Sequence, residues 1–578
     1  MTSRPTARRS RRALGALVTL GLVATPLALT SAPAQAGEAP TEHGRPDFVL
    51  TVLHNNDGES DLLPDETGAG SISRFGGLVK DLRREWRTKR SGEPSKRKGV
   101  VLISAGDNFL AGPEWEASQQ KGMPYYDAIA LDHLRYEAFT IGNHEFDFGP
   151  DELARFIRSF RGNDDIFLSA NLDFSAEPAL QRLADRGRIR PKVVVRERGE
   201  RIGIVGVTTP ELREVSSPGD VVIDPDLVAV VQEQVDRLTA RGVDKILVSS
   251  HLQDITNELE LVTQLRHVDA VIGGGGGEDI SASYPLVAQD ATGRDVPVVT
   301  VPGDYFDVGR LTLRFDKYGN VVGFGGELVP VTGDLPQDRF LLNNVEEPVT
   351  AFLADLANQV IATTQVALNG VRADVRSRET NIGNLMADAH LAAAQARAAD
   401  FGVQEPQVAL QNGGGIRNDD VIPVGDVTLL DTFEIAAFSN AISVIEDVSR
   451  DDILAAAQHG VSGLPAAQGF FGQWAGLRIE YSTDGTGAAT VQNITLDDGT
   501  QIVAGGVVVP GPGVTVATID FLARGQDGYD MFEPYDFTSL GVSYQQSLAQ
   551  FLESLGTITD EYADPVDPAD RERVVPLP

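Results

Sequence analysis

From residue 48 onward the chain alternates short apolar runs with polar loops and amphipathic stretches. The run Phe48-Val49-Leu50-Thr51-Val52-Leu53-His54 reads as a strand and ends in Asn55-Asn56-Asp57-Gly58-Glu59. Helical spacing of apolar residues over 73–86 predicts a helix, followed by a basic loop over 87–98. Val100-Val101-Leu102-Ile103 is a short buried strand that ends in Ser104-Ala105-Gly106-Asp107-Asn108. A helix over 125–134 and a strand over 135–140 lead into Ile141-Gly142-Asn143-His144-Glu145-Phe146-Asp147-Phe148-Gly149. Strands follow over 166–169, 202–207, 246–250 and 268–272, with an amphipathic helix over 227–241. The stretch 297–331 is β-rich, with a hairpin turn at Asp316-Lys317-Tyr318-Gly319-Asn320.

Strand, polar loop and helix in repetition predict an α/β fold. The polar residues recur where strands end, so they converge on one edge of the sheet. At 578 residues the chain is too long for one core, and two domains are expected. A second pattern starts near 363, with a helix over 380–397, a strand over 407–410, a helix over 453–459 and a β-rich stretch over 477–516. The expected organisation is a first domain over 46–335, a linker over 336–362 with a helix at 349–360, a second domain over 363–560 and a loose tail over 561–578.

Charge narrows the function. The formal net charge is −34, which argues against binding a nucleic-acid polymer by phosphate neutralisation. An acidic protein acting on an anion must supply local positive charge, from metal ions or a few placed arginines. There is no cysteine, so any metal must use oxygen and nitrogen ligands. At the N-terminus Arg4, Arg8, Arg9, Arg11 and Arg12 precede an apolar run and the small-x-small site Ala34-Gln35-Ala36. That pattern predicts a cleaved export signal over 1–36, of twin-arginine type, and a secreted chain with no membrane anchor.

The strand-end residues are Asp57, Glu59, Asp107, Asn143, His144, Asp147 and His251. They form an oxygen and nitrogen set suited to Mn, Zn, Mg or Ca. A shared carboxylate such as Asp107 can bridge two ions about 3.5–4 Å apart, which bind a phosphate and activate water. His144 is then left to stabilise or protonate a leaving oxygen, with Asp147 three residues on to orient it. In the second half Gln411-Asn412-Gly413-Gly414-Gly415-Ile416-Arg417 follows a strand, and Arg372, Arg376 and Arg417 supply positive charge. A glycine-rich loop permits close backbone approach, and arginine grips phosphate or carboxylate by two bonds.

Leu53-His54-Asn55-Asn56-Asp57, Ala105-Gly106-Asp107-Asn108 and Gly142-Asn143-His144-Glu145-Phe146-Asp147 together resemble calcineurin-like metallophosphoesterases. Within them the match is to secreted 5′-nucleotidases and their UDP-sugar hydrolase and cyclic-nucleotide phosphodiesterase relatives. Glu379-Thr380-Asn381-Ile382-Gly383-Asn384, the glycine loop, Ala437-Phe438-Ser439-Asn440 and 520–529 resemble that family's C-terminal domain, in order. The resemblance implies a four-layer α/β/β/α sandwich followed by an α+β domain. It implies a site for one or two divalent metals, with Asp57, Asp107, Asn143 and His251 on ligand positions and His144 with Asp147 as catalytic dyad. It puts Phe438 and Phe521 on either side of a nucleobase, Asp527 on the ribose, and Arg372, Arg376, Asn412 and Arg417 at the substrate. It also implies that the two domains rotate to carry substrate to the metals.

Two departures stand out. Glu59 replaces an expected histidine, and a carboxylate there favours harder cations. After Ile272 come five glycines, so Gly275 and Gly277 hold ligand positions without side chains, with Glu278, Asp279 or a backbone carbonyl as candidates to reach in. The expected activity is hydrolysis of nucleotides to nucleoside and phosphate. The alternatives are a nucleotide-binding protein with a degenerate metal site and a broad phosphomonoesterase. Oligomeric state is left open.

Overall fold

The computed structural model describes residues 46–87, 97–161, 166–438 and 440–577. The export signal expected over 1–36 and most of the basic loop after residue 87 lie outside them. The chain divides into two compact units, one mainly up to Thr350 and the other mainly from Ala351.

In the first unit the strand Phe48–Asn55 is buried along its whole length. Covered on both faces, it can be apolar without alternation. It pairs in parallel with Arg97–Ser104 and antiparallel with Asp307–Phe315. The seven-stranded sheet runs Val321–Pro330, Asp307–Phe315, Phe48–Asn55, Arg97–Ser104, Ala138–Thr140, Phe167–Leu168, Ile189–Arg190. A six-stranded sheet runs Leu286–Gln289, Asp295–Val299, Ala270–Ile272, Ile246–His251, Glu200–Thr208, Lys192–Glu197.

One buried cluster joins Leu50, Val52 and Ile103 of the first sheet to Ile204, Leu247 and Ile272 of the second. The neighbours Val205, Val248 and Val271 point the other way, onto Val235, Leu238 and Leu261 of the helices Leu227–Thr239 and Ile255–Gln264. This alternation is the two-residue period of a strand. The helix Ile72–Arg87 lies on Arg97–Ser104 and Asp307–Phe315. The result is the four-layer α/β/β/α sandwich.

Several local expectations shift. The strand before the Gly142 loop is only Ala138–Thr140, because Arg135 adopts a left-handed conformation (φ 57°) that ends the helix Tyr126–Leu134. The stretch 336–362 is helical from Arg339 to Ala357, including one π-helical turn at Leu342–Glu346. Val360, expected to close that helix, instead opens the strand Val360–Thr364.

The second unit holds a five-stranded sheet in the order Gly472–Ala475, Val408–Asn412, Val514–Ile519, Ala441–Val448, Phe537–Ser543. The helix Asn381–Phe401 packs on it, started by Thr380, whose hydroxyl accepts from Gly383 N at 3.1 Å, and stopped by Gly402 at φ 70°. A second sheet runs Val507–Val508, Gln501–Ala504, Ala489–Leu496, Leu477–Thr483, Val574–Pro576.

That last strand corrects the expectation of a loose tail. Val574 and Val575 are buried, and the strand pairs in parallel with Leu477–Thr483. The guanidinium of Arg573 grips Asp388 through bonds of 2.8 and 2.8 Å, and Glu379 accepts from the N–H groups of Arg573 and Val574. Flanking Pro and charged residues hid a short apolar segment whose binding edge lies far away in sequence.

Candidate active site

Every candidate of the first unit stands at or just beyond the C-terminal end of a strand. Asp57 and Glu59 follow Phe48–Asn55, and Asp107 follows Arg97–Ser104. Asn143, His144 and Asp147 follow Ala138–Thr140, and His251 closes Ile246–His251. Asp57, Asp107 and His251 bring ligand atoms within 4.8 Å of one another, and so do Glu59, Asp107 and His144. Asp107 belongs to both groups. His251 Nε2 lies 2.9 Å from Asp107 Oδ2 and 3.0 Å from Asn143 Oδ1. Its Nδ1 donates to Ala105 O at 2.8 Å, which fixes the ring.

The backbone is strained where these groups sit. Asp57, Glu59 and Asp107 have φ of 49°, 45° and 52°, in the left-handed region that side-chain-bearing residues rarely enter. Such conformations persist where surrounding bonds over-determine them. Glu145 provides those bonds. Its buried carboxylate accepts from Asp107 N (3.0 Å), Asn108 N (2.7 Å), Asn108 Nδ2 (2.9 Å) and Gly142 N (2.6 Å). It ties the Asp107 loop to the Gly142 loop. Asn56 does the same for Asp57, donating to its Oδ2 at 2.6 Å and to Val301 O at 2.9 Å.

Electrostatics follow from burial. Desolvation raises Asp57 to about 6 and Glu145 to about 7. Burial also pushes Asp107 up, but His251 and His144 outweigh it and hold the carboxyl below its usual range. Burial presses His144 down, and Asp147, Asp107 and Glu59 more than reverse this, so its imidazole stays protonated well above the ordinary value. His144 Nδ1 donates to Asp147 Oδ2 at 2.7 Å. The carboxylates and imidazoles gathered here offer oxygen and nitrogen donors that suit a divalent cation.

The glycine run behaves differently from expectation. Glu278 accepts from Ile255 N at 2.9 Å at a helix start, and Asp279 from Ser281 N at 2.9 Å. Both carboxylates are committed to local backbone, and neither joins a cation group among the described residues. Gly275 contributes its N–H instead, 3.0 Å from both oxygens of Asp57. Gln253, overlooked in the sequence, reaches Asn143 Oδ1 at 2.5 Å. Only its position two residues past His251 pointed to it.

In the second unit Asn412 Nδ2 donates to Asp527 Oδ2 at 2.7 Å. Asp527 has φ 58°, and its carbonyl accepts from His459 Nε2 at 2.8 Å. Burial raises the Asp527 carboxyl. Arg376 lies beside this pair with its Nε buried and unpartnered. Burial and the charge of Arg372 both lower its pKa. Two like charges beside a buried, unpartnered donor are groups that an anion would neutralise. The Arg417 guanidinium lies 5.2 Å from the Phe438 ring centroid. Phe438 and Phe521 are both half-buried against the core, with no ring contact between them among the described residues.

Facing sheets with carboxylates, amides and imidazoles gathered at their strand ends define the calcineurin-like phosphoesterase class. Residues 360–534 match the family described as 5′-nucleotidase, C-terminal domain. The solved 5′-nucleotidase precursor from Thermus thermophilus is 31% identical, with a TM-score of 0.67 over 92% of this chain and 100% of that one. A 5′-nucleotidase from Diplobatis ommata is 29% identical over 86% of this chain and 87% of its own length. A snake venom 5′-nucleotidase from Crotalus adamanteus is 28% identical over 75% and 74%. The chain belongs to the 5′-nucleotidase family and is a hydrolase.

Proposed function

We propose that this protein is an exported, metal-dependent phosphoesterase that hydrolyses nucleotides to nucleoside and phosphate. The observation that carries the reading is Asp107, common to two groups of cation ligands, with the His144–Asp147 pair alongside. Asp57, Glu59, Asp107, Asn143 and His251 would hold one or two divalent cations. Bound there, a divalent cation offsets phosphoryl charge and lowers the pKa of water.

The chain's own groups do the rest. Asp147 orients the His144 ring and keeps it protonated, so Nε2–H is presented to the oxygen on which negative charge develops. Glu145 and Asn56 keep the strained loops from relaxing. In the second unit Arg372, Arg376 and Arg417 bind anionic oxygens, Asn412 and Asp527 bind the ribose hydroxyls, and Phe438 and Phe521 stack on the base. The arginine-led segment over 1–36 and the likeness to a venom protein support export. Among the described residues no helix is long and apolar enough to cross a membrane.

The test is phosphate release from AMP, UDP-sugar and cyclic nucleotides across Mn, Mg, Ca, Zn and Co. Turnover with at least one cation is expected, reduced at least about a hundredfold by His144→Ala and abolished by Asp107→Ala. Turnover insensitive to both substitutions would sink the assignment.

A further inference from the structure

Gly275 stands at an expected ligand position with no side chain to offer. A Cβ there would lie 2.9 Å from His251 Nε2 and 3.0 Å from Gln253 Nε2. The space a ligand at 275 would enter is therefore already filled, by the amide of Gln253. We infer that Gln253 is a metal ligand of this protein, completing the set Asp107, Asn143 and His251 around a divalent cation in place of the residue missing at 275. The inference rests on the metal-centre reading above and deepens it.

Two features point the same way. Gln253 has φ 73°, a left-handed conformation that side-chain-bearing residues rarely adopt. Its amide lies 2.5 Å from Asn143 Oδ1, and the same oxygen lies 3.0 Å from His251 Nε2, which is 2.9 Å from Asp107 Oδ2. The four side chains thus form one continuous run of contacts.

Without a cation, Nε2–H of Gln253 donates to Asn143 Oδ1. A half-turn of the amide exchanges Nε2 for Oε1 in the same place. Two amide oxygens so close repel each other unless a cation lies between them, so the half-turn is favourable only with metal bound. A neutral carbonyl oxygen suits harder divalent ions such as Mn and Mg, as Glu59 does on the other side of Asp107.

The test is Mn²⁺ binding to the full chain after chelation, by isothermal titration and elemental analysis, with phosphate release left aside. Gln253→Ala should weaken one binding step at least tenfold. Gln253→Glu, with an acceptor of the same reach and a full charge, should bind at least as tightly as the parent and keeps the test open if the alanine variant does not fold. Wild-type affinity in Gln253→Ala would overturn the proposal, as would tighter binding, which would make Gln253 a competitor for Asn143. Loss of all binding in Asp107→Ala, with Gln253→Ala unchanged, rejects Gln253 alone. A parent chain that binds no Mn²⁺ rejects the metal centre with it.

Discussion

Single residues carry two distinct burdens here. Some face the reacting atoms, and others hold those in place. Glu145 is of the second kind. Replaced by alanine, it leaves the N–H groups of Asp107, Asn108 and Gly142 without an acceptor, each worth about 1–3 kcal/mol when buried. Glu145→Ala should lower stability by roughly 3 kcal/mol or more in denaturant titration of the first unit. Phe438 is the stacking surface proposed above for the base. Phe438→Ala should raise KM for AMP about tenfold, given about 1–3 kcal/mol per stacked base, and leave KM for p-nitrophenyl phosphate unmoved. Equal effects on both substrates would remove the stacking role. The Gly142–Asp147 block was legible because its chemistry is packed into one loop. Glu145 within it was not read, because its partners are backbone N–H groups of another loop.

At the scale of elements, periodicity and caps were reliable where an element is long or central. The strand Phe48–Asn55 and the helices Ile72–Arg87 and Leu227–Thr239 lie where the pattern puts them. The strand Val574–Pro576 was missed, since three residues after a charged run carry no period. Its energetics are nonetheless those of core. Val574 is 1% exposed, so Val574→Asp buries a charge without a partner. A loss of about 3 kcal/mol or more in the unfolding of the second unit is expected. A loss under about 0.5 kcal/mol, the usual scale for surface changes, would mean that the strand contributes nothing.

For the molecule as a whole, the dependence of stability on pH comes from groups buried in one charge state. His390 is fully buried, donating from Nε2 to Gln411 Oε1 at 2.8 Å, with Ser547 Oγ 3.3 Å from Nδ1. Burial lowers its pKa from 6.5 to about 4. The unfolded chain then binds a proton in this window that the folded chain refuses, so stability falls as pH drops from 6.5 toward 4. The slope is about 1.4 kcal/mol per pH unit. His390→Gln removes that proton, and its unfolding free energy should lose about 2 kcal/mol less than the parent's between pH 6.5 and 5. Parallel curves for the two proteins would contradict a neutral His390. The net charge of −34 acts at the same scale. It makes locally placed cations, from arginine or metal, the means of holding an anionic substrate.

The sequence by itself determined the α/β layering, the convergence of acids and imidazoles at strand ends, and the arginine and glycine-loop set of the second half. Each depends on spacing within a few residues, where backbone geometry alone dictates which side chains share a face. Tertiary structure alone decided what stands beside Asn143 and Asp57 at the strand ends. Gln253 meets Asn143 across 110 residues, and Gly275 meets Asp57 across 218. Read locally, the glycine run is a loss of ligands. Folded, it is a bare backbone that donates one N–H and leaves room for an amide from another strand end. Such contacts are set by how two sheets pack, and no local pattern encodes that distance.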